Sequence, residues 1–377
     1  MEKSDNTIRF FNIRPENEKH IFNLKVFGDI KKYGKVRTED MAGPACDVEA
    51  QVSQYLKSAL SEGIIKVGGE DGPAAVTFIA SEKKMVGVGF TDTSAYLTAI
   101  DTSGEISDSE EIEISRISRL EGKNKEIKSI AETISAASVL RSSGLDSIGI
   151  AMPARLMEIN PKAARIMNQV LTKAFKNKIF IGREATAAGY GEMDSKREFR
   201  DKNVLSMYTD AGDGAMIKGE NIFEADSASQ GNLAYLSPWN QFSIVATAKE
   251  LVSKGVGTEI VNLVKGNIDD ISLEVILQAA DNKDELADDL VKRAALALGV
   301  RVAYLVNMFN TDVVILSGGT ERREGGFLGY VEEGAKKFYL KEVSGKVSMV
   351  PGILGKKAVS IGAALLCRRQ LFMEVGV

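Results

Sequence analysis

The sequence predicts an α/β protein with a small N-terminal module and two larger lobes. Three observations indicate this: helices and a hairpin fill residues 16–80, three strands and then alternating helices and strands follow to residue 191, and a second three-strand series starts near residue 204. A chain of 377 residues is long enough to form several domains, each with its own hydrophobic core. We therefore predict a module of residues 1–80, a first lobe of 81–191 plus 358–377, and a second lobe of 192–357.

The composition narrows the function classes. Hydrophobic residues make up 44% of the chain, charged residues 27%, and the net charge is −4, so any contact with nucleic acid has to be local. Cys46, Cys367 and His20 lie too far apart for metal-ligand spacing, and we expect no metal site and no cofactor. The chain has no apolar run of about 18 residues and a polar start, which predicts a cytoplasmic protein without membrane association.

Apolar periodicity predicts the helices of the N-terminal module. The first helix, from Glu16 to Tyr33, has apolar residues at three- and four-residue spacing and ends at Gly34. Thr38 caps a short second helix, and Asp47 caps a third that runs to Glu62. Two strands, 64–67 and 74–80, then form a hairpin. Residues 1–15 are expected to be a loose arm.

Three helices followed by a hairpin are typical of a winged helix-turn-helix, in which the third helix enters the major groove of DNA. A basic cluster that includes Lys31 and Lys32 precedes the second helix and suits phosphate contacts, while glutamine can pair with adenine. The residues expected to contact DNA are Lys35, Arg37, Thr38, Gln51, Ser53, Gln54 and Lys57. Acidic residues at Asp47, Glu49, Glu70 and Asp71 predict modest affinity or a need for dimerisation. A small helical dimerisation domain is the alternative.

The lobes are predicted from strand and turn signals. Met85–Asp101 is a hairpin whose turn is Thr91–Thr93, and a short third strand lies at Ile112–Ile114. A helix from Lys125 to Arg141 follows. Residues 226–245 are expected to be irregular, and the small residues of the last helix, Gly362 to Ala364, are placed for close helix packing.

The order of elements and four motifs resemble the ROK family (repressor, open reading frame, kinase). The motifs are IGIAMP at 148–153, NMFNTDVVILSGG at 307–319, SIGAALL at 360–366, and the run 37–63, which lines up with the helix-turn-helix of the family's repressors. The resemblance implies two actin/hexokinase-like (ribonuclease H-like) α/β lobes behind a winged helix-turn-helix.

Both phosphate-binding loops depart from the family pattern. The first loop reads D-x-G-G/A-T in the family, and here Gly89 stands at the aspartate position while Asp92 lies in the turn. The second loop reads G-T-G-x-G, and the matching run Asp210–Gly214 contains two carboxylates. Added negative charge where phosphate oxygens would lie disfavours phosphate binding. We interpret Asp210 and Asp213 as turn residues.

The catalytic and sugar-binding motifs also differ. At the position of the family's catalytic Asp, the general base, this chain has Glu184, and Arg183 replaces a neighbouring amide. Asn232 and Tyr235 stand where the sugar clamp has Glu and His, and the zinc loop is missing. The resemblance thus implies that Arg183, Glu184, Asn232 and Tyr235 face an effector, and that no residue is catalytic.

These observations predict a DNA-binding transcriptional regulator of the ROK type with a non-catalytic, kinase-like body. The expected partners are operator DNA, a small-molecule effector such as a sugar or sugar acid, and further copies of the chain in a homodimer or a dimer of dimers. Two alternatives stay open. One is a sugar or sugar-acid kinase with Glu184 as general base, and the other is an interaction scaffold whose N-terminal module does not bind DNA.

Overall fold

A computed structural model describes residues 8–41, 48–68, 75–209, 212–224, 241–319 and 326–376. The chain divides into two compact units. The first comprises Met1–Gly191, Gly219–Ile222 and Lys357–Val377, and the second comprises Glu192–Lys218 and Phe223–Lys356. The predicted N-terminal module is part of the first unit, and the division into three domains stays a prediction.

The three helices and the hairpin of the N-terminal module follow the predicted order, and two short strands, β1 (Arg9–Phe10) and β2 (Val36–Arg37), were not predicted. The other elements of the module are α1 (Glu18–Tyr33), α2 (Thr38–Met41), α3 (Val48–Ser61), β3 (Ile65–Gly68) and β4 (Ala75–Phe78). The last three strands form an antiparallel sheet in the order β2-β4-β3. Asn17 caps the start of α1, and Gly34 ends the helix with a φ of 76°, a conformation that glycine adopts without strain. The predicted cap Asp47 lies outside the described residues.

The first lobe has the predicted succession of strands and helices. Its elements are β5 (Lys84–Phe90), β6 (Ser94–Ile100), β7 (Ile106–Glu113), α4 (Asn124–Ser135), β8 (Leu145–Met152), α5 (Ala154–Ile159), α6 (Ala163–Ala174), β9 (Lys178–Arg183) and α7 (Glu184–Ser195). They build a six-stranded sheet in the order β1-β9-β8-β5-β6-β7.

Two local predictions in this lobe were wrong, and one helix was missed. β7 starts at Ile106 rather than Ile112, because backbone pairing with β6 holds an edge strand whose acidic side chains face solvent. α4 ends at Ser135, and a separate 3₁₀ turn follows at Val139–Arg141. The helix α5 was not predicted at all, since six residues are too few for a clear period.

The prediction of a loose N-terminal arm was also wrong for residues 9–11, while residues 1–7 lie outside the described ranges. Arg9 and Phe10 pair in parallel with β9, and Phe11 stacks on Phe180 with ring centroids 5.5 Å apart. The ring of Phe11 occupies space left by Gly149, where a Cβ atom would lie 2.6 Å from it, and by Gly182. Arg9 and Phe10 therefore form an edge strand of the sheet.

The second lobe starts with an antiparallel hairpin and continues mainly as helix. Its elements are β10 (Asn203–Tyr208), β11 (Asp213–Lys218), β12 (Asn221–Phe223), α8 (Gln241–Ser253), α9 (Glu259–Leu263), α10 (Leu273–Asp281), α11 (Glu285–Phe309), β13 (Val313–Ser317), α12 (Phe327–Lys336) and β14 (Ser348–Pro351). The sheet order is β12-β11-β10-β13-β14. Residues 241–245 were predicted to be irregular but belong to α8, which buries Ile244 and Ala248. Residues 226–240 lie outside the described ranges.

The C-terminal helix α13 (Ala358–Met373) crosses the first unit, and nearly all of its side chains are buried. Glycines allow its backbone to approach its neighbours. A Cβ on Gly362 would overlap the carbonyl of Ala187 in α7, and a Cβ on Gly87 in β5 would overlap the carbonyl of Ser360. The predicted close packing of this helix is confirmed.

Candidate functional site

The outer face of α3 carries the side chains predicted to read bases. Ser53, Gln54 and Lys57 are exposed, and Gln51 is partly exposed. The opposite face buries Val52, Tyr55 and Ala59 in the core of the module. The helix therefore turns these four polar side chains outward together, and their contact with DNA stays a prediction.

The basic residues before α2 divide into two groups. Lys35 and Arg37 are exposed, and Arg37 makes a surface ion pair of 3.5 Å with Glu39, a type of contact that is easily exchanged for another. Thr38 is the first residue of α2. Lys31 is buried instead, so its predicted place in a phosphate-contacting cluster was wrong.

Lys31 belongs to a buried polar cluster that sequence reasoning missed. Its Nζ atom donates to Glu220 Oε1 at 2.7 Å and to the hydroxyl of Tyr190 at 3.1 Å, and that hydroxyl donates to Glu220 Oε2. Arg369 of α13 donates to the carbonyls of Glu220, Asn12 and Ile13. Burial lowers the pKa of Arg369, while Tyr190 and Glu220 oppose that shift. The cluster joins α1, α7, α13 and the arm.

The end of α13 completes the hydrophobic core of the N-terminal module. The Phe372 ring lies 4.8 Å from that of Phe27 in α1 and 4.8 Å from that of Phe78 in β4. The guanidinium of Arg368 lies 4.5 Å from the Phe78 ring and donates to the carbonyl of Thr102 at 2.8 Å. Phe372, Met373 and Val375 belong to the same buried cluster as Leu24 and Ile30. The module and α13 thus share one core.

The other end of α13 lies at the first phosphate turn. A Cβ atom on Gly89 would lie 2.7 Å from the Cβ of Val359 and 2.8 Å from the backbone nitrogen of Ser360. Both distances are shorter than the contacts that Cβ atoms make in folded proteins. The position of the family's phosphate-turn aspartate therefore has no room for a side chain in this protein.

Asp92 in this turn makes local contacts. Its carboxylate accepts hydrogen bonds from the backbone N–H of Ser118 at 2.8 Å and from the Ser118 hydroxyl at 3.2 Å, and it lies 4.0 Å from Arg116. Its carbonyl also accepts from the N–H of Ile117 at 2.8 Å. Asp92 thus fixes the turn to the 3₁₀ turn Ile117–Arg119.

The described part of the second phosphate loop agrees with a structural role for Asp213. This side chain is buried, and its Oδ1 accepts from the backbone N–H of Gly214 at 2.8 Å. The hydroxyl of Thr209 donates to the carbonyls of Ser317 and Gly318 at 2.8 and 3.1 Å, which ties the loop to the end of β13. Asp210 lies outside the described residues.

Arg183 and Glu184 lie where β9 ends and α7 begins. Glu184 is buried, and its Oε1 accepts a hydrogen bond of 2.7 Å from the N–H of Ala154, the first residue of α5. Arg183 pairs in the sheet with Met152. The structure therefore brings Arg183 and Glu184 to the carboxyl edge of the first sheet, whereas Asn232 and Tyr235 lie outside the described ranges.

Glu192 is a second buried carboxylate that sequence reasoning missed. Its two oxygens accept hydrogen bonds from the N–H groups of Ile353 at 2.8 Å and of Leu354 at 3.0 Å. A Cβ on Gly352 would lie 2.7 Å from one of these oxygens. Glu192 thus holds the segment after β14 in place. The sequence shows only that Glu192 lies in a helix next to Gly191. Nothing in this local pattern predicts a hydrogen bond with a residue 161 positions away.

Two further observations concern the described residues as a whole. No group of three or more His, Cys, Asp or Glu side chains comes together in a way that could hold a metal ion within those ranges. Among the described helices, none combines the length and the apolar character needed to cross a bilayer.

Comparison with known proteins links this geometry to one family. Residues 253–370 match the model of the ROK family. The chain is also 20% identical, over 94% of its length and 93% of the relative's, to the DNA-binding transcriptional dual regulator NagC of Escherichia coli K12. The resemblance to the ROK family is confirmed. A shorter match, 25% identical over 40% of this chain and 42% of the relative, is to the xylose repressor of Caldicellulosiruptor bescii.

Solved ROK structures share the fold. A ROK family transcriptional regulator, described as a homolog of the E. coli MLC protein, has a TM-score of 0.65 at 15% identity, with 95% of this chain and 98% of the other covered. A ROK family glucokinase from Streptomyces griseus, in complex with glucose and AMPPNP, has a TM-score of 0.60 at 17% identity and covers 75% of this chain and 98% of its own. The α/β ROK fold is thus shared with regulators and kinases alike.

Proposed function

We propose that this protein is a cytoplasmic, DNA-binding transcriptional regulator of the ROK type whose kinase-like body binds a small effector without catalysis. The N-terminal module, as a winged helix-turn-helix, reads operator DNA through α3. The protein acts as a homodimer or a dimer of dimers, because paired modules compensate for the modest basic charge of one module.

The observation that carries the proposal is the course of α13. At its start, Val359 and Ser360 occupy the space above Gly89, and at its end Phe372 is part of the core of the N-terminal module. A kinase needs the first position for a phosphate-turn carboxylate, while a regulator needs its DNA-reading module connected to its body. The buried helix α13 connects the N-terminal module to the body, and the same helix fills the space that a phosphate-turn carboxylate would need.

The likeness to regulators along nearly the whole chain also supports this proposal. The match to NagC covers 94% of this chain and therefore includes most of the N-terminal module, whereas the match to the glucokinase covers 75%. NagC is named as a DNA-binding regulator. The part of this chain that extends beyond the kinase match is consistent with a module for DNA.

The effector is proposed to bind at Arg183, Glu184, Asn232 and Tyr235. A relative from Escherichia coli O6:H1, 20% identical over 94% of this chain, is named N-acetylglucosamine repressor, and the Caldicellulosiruptor bescii relative is named xylose repressor, which supports a carbohydrate or a derivative as the ligand class. Arg183 at the sheet edge suits an anionic group, as in a sugar acid. A thermal-shift screen of sugars, sugar acids and nucleotides tests this part, and an effector-dependent shift should be reduced in Arg183→Gln.

DNA reading is tested with the full-length protein and an operator selected from a random DNA library. Gln54→Ala should weaken binding to the selected site by about tenfold and leave non-specific binding unchanged, whereas Lys57→Ala should also lower the salt dependence. Arg293→Ala, an exposed substitution in the second unit, is the control. Equal affinity of the wild type for selected and random DNA would refute the proposed function.

A ROK-type sugar or sugar-acid kinase is the second candidate, because Glu184 keeps a buried carboxylate at the position of the general base. The hydrogen bond from Ala154 uses one of its oxygens. A coupled assay of ATP consumption over a panel of sugars and sugar acids separates the two functions. Turnover that is lost in Glu184→Gln would establish the kinase, and no turnover is expected.

A further inference from the structure

The carboxylate of Glu220 occupies a socket formed by α1, α7 and α13. Lys31 of α1 donates to its Oε1 at 2.7 Å, and the hydroxyl of Tyr190 in α7 donates to its Oε2. Arg369 of α13 donates to the backbone carbonyl of Glu220 at 2.9 Å. All four residues are buried. Together with Gly28 of α1, the three donors are named the Glu220 socket below.

Gly28 indicates that α1 is shaped to receive this side chain. A Cβ atom on Gly28 would lie 3.3 Å from Cγ of Glu220, so that a larger residue at this position would press on the Glu220 side chain. Glycine inside a helix is destabilising, and here it lies three residues before Lys31, on the same helix face. Two residues of α1 are therefore matched to Glu220, one by its missing side chain and one by its charge.

Tyr190 connects the socket to one part of the proposed effector site. Its helix, α7, begins with Glu184, and the two residues are separated by about 9 Å of helix rise. Because a helix moves as a rigid element, a ligand that displaces Glu184 also displaces the Tyr190 hydroxyl, which bonds to both Lys31 and Glu220.

The turn that carries Glu220 leads to the other part of the effector site. Residues Gly219–Ile222 belong to the first unit, whereas β11 before them belongs to the second. After β12, the chain continues to Asn232 and Tyr235. The socket is thus linked to the proposed effector residues both through α7 and along the chain that follows Glu220.

The chemistry of the socket suits a contact that can open. Well-packed apolar residues often stabilise a fold as much as a buried ion pair does, so stability alone does not require charges here. When an ion pair separates into water, both groups regain their hydration, whereas a separated apolar contact exposes hydrophobic surface. A polar socket therefore lowers the free energy of the opened state relative to an apolar one.

We propose that Glu220 regulates the N-terminal module through this socket. With Glu220 in place, α1 and its module keep the orientation that reads operator DNA. A ligand at the effector residues shifts α7 and the turn, withdraws Glu220 and releases α1. This regulation rests on the proposed function and adds the route from its effector site to its DNA-reading module. Lys31 and Tyr190 are positioning residues, since they act on DNA binding only through the orientation of α1.

The orientation of α1 matters for DNA with two half-sites. A dimer reads both half-sites at once only when its two modules keep a fixed spacing and direction. The reading residues Gln54 and Lys57 lie on α3, outside the socket. Loss of the Glu220 contact should therefore weaken binding to two half-sites together, but not binding to one half-site.

A reversible disulfide tests this regulation. In a Cys46→Ser background, Gly28→Cys with Glu220→Cys should cross-link on mild oxidation, because the two side chains meet in the socket and Cys367 is buried. The oxidised protein should bind a selected operator with two half-sites at least about tenfold more tightly than the same protein after reduction. Both forms should bind a single half-site equally. Each single cysteine variant is a control and should show no dependence on reductant.

Removing one hydroxyl tests the socket without a cross-link. Tyr190→Phe keeps the ring but removes the group that bonds to Lys31 and Glu220, and it should weaken binding to two half-sites by about fivefold without changing binding to one. Tyr96→Phe is the matched control, since Tyr96 is also buried and donates to a glutamate, Glu111, at 2.6 Å. It should bind both DNAs like the wild type. Circular dichroism and Tm verify that each variant is folded.

Hydrogen exchange tests the link to the effector site without DNA. The N–H of Ala154 donates to Glu184 at 2.7 Å and lies outside the socket. Because coupling is reciprocal, this N–H should exchange at least about threefold faster in the reduced double-cysteine protein than in the oxidised one.

Three results would each overturn the proposal: equal operator affinity of the oxidised and reduced forms, a Tyr190→Phe protein that binds DNA like Tyr96→Phe, or equal exchange of the Ala154 N–H in both forms. Equal affinity of the wild type for selected and random DNA would refute only the proposed function. The exchange of Ala154 would then still decide whether the socket and the effector site are coupled.

Discussion

Lys31 and Glu220 form an ion pair inside the protein, although 189 residues separate them in the chain. The ammonium lies 2.7 Å from the carboxylate, and the two side chains are 3% and 8% exposed. Tyr190 bonds to both groups, and the ammonium also lies 5.1 Å from the Phe27 ring. Additional hydrogen bonds of this kind offset the desolvation free energy of two buried charges. The pair fixes α1 of the N-terminal module to the rest of the first unit.

Replacing Lys31 with Met should destabilise the protein by about 3–5 kcal/mol, because it leaves a buried carboxylate without its cation. Urea unfolding followed by circular dichroism measures the change. The decrease in the free energy of unfolding should be several times larger than the decrease caused by breaking an exposed ion pair.

Lys336→Met is the matched control, since it removes an exposed ion pair with Glu332 and should change the free energy of unfolding by less than about 1 kcal/mol. The double variant Lys31→Met with Glu220→Gln should recover part of the loss, because no buried charge remains unpaired. A single-variant loss as small as that of the control would show that the pair contributes little to the fold.

Local patterns were sufficient to predict most of the secondary structure. The bounds of α1 follow from its apolar period and from Gly34, and those of β5 and β6 follow from the polar turn between them. The tight packing of α13 was visible because Gly362 and its neighbours are small. In each case the information lies within a few consecutive residues.

Long-range partners were not predictable in the same way. Phe11 has a place only because Gly149 and Gly182, far along the chain, lack side chains. Lys31 looked like a surface cation because nothing near it in the sequence points to Glu220. For the candidate site, the sequence showed that the phosphate-turn carboxylate is absent. Only the fold shows the reason, which is that Gly89 lies against Val359 and has no room for a side chain.

Gly89→Ala should destabilise the protein by about 1–3 kcal/mol or more, since its Cβ would collide with Val359 and the backbone of Ser360. Gly89→Asp should be worse, because it adds a carboxylate to the same crowded space. Thermal unfolding measures both. Gly257→Ala is the control, because a Cβ on Gly257 has no heavy atom within 4 Å. A Gly89→Asp protein with the stability of the wild type would mean that α13 can yield and that the phosphate turn can regain its carboxylate.

Phe372→Ala should destabilise the N-terminal module by about 3–5 kcal/mol, because it opens a cavity between Phe27, Phe78 and Arg368. Hydrogen exchange should then increase in α1 and β4 before it increases in the second unit. Phe338→Ala removes a ring that is 44% exposed and should have a far smaller effect. Unchanged protection of α1 in Phe372→Ala would show that the module is stable without the end of α13.

Asp284 caps two helices with one carboxylate. Its Oδ1 accepts from the N–H of Ala287 in α11 at 2.8 Å and from the Thr258 hydroxyl at 2.9 Å, and its Oδ2 accepts from the N–H of Glu259 in α9 at 2.8 Å. Burial acts to raise the pKa of Asp284, but these hydrogen bonds outweigh it and hold the pKa below its ordinary value. Asp284→Ala should therefore cost about 1–3 kcal/mol at neutral pH, as the loss of a double cap.

The same capping interaction predicts how this cost depends on pH. A carboxyl group whose pKa is lower in the folded state stabilises the fold fully above its unfolded pKa of about 3.9, and the contribution is lost as the pH falls through the folded value. The difference in Tm between wild type and Asp284→Ala should thus be constant from pH 7 to about pH 5 and shrink below about pH 4. Glu285→Ala, at the exposed next residue, should show little difference at any pH. A difference for Asp284→Ala that stays constant down to the acid limit of folding would show that the charge of this carboxylate does not contribute.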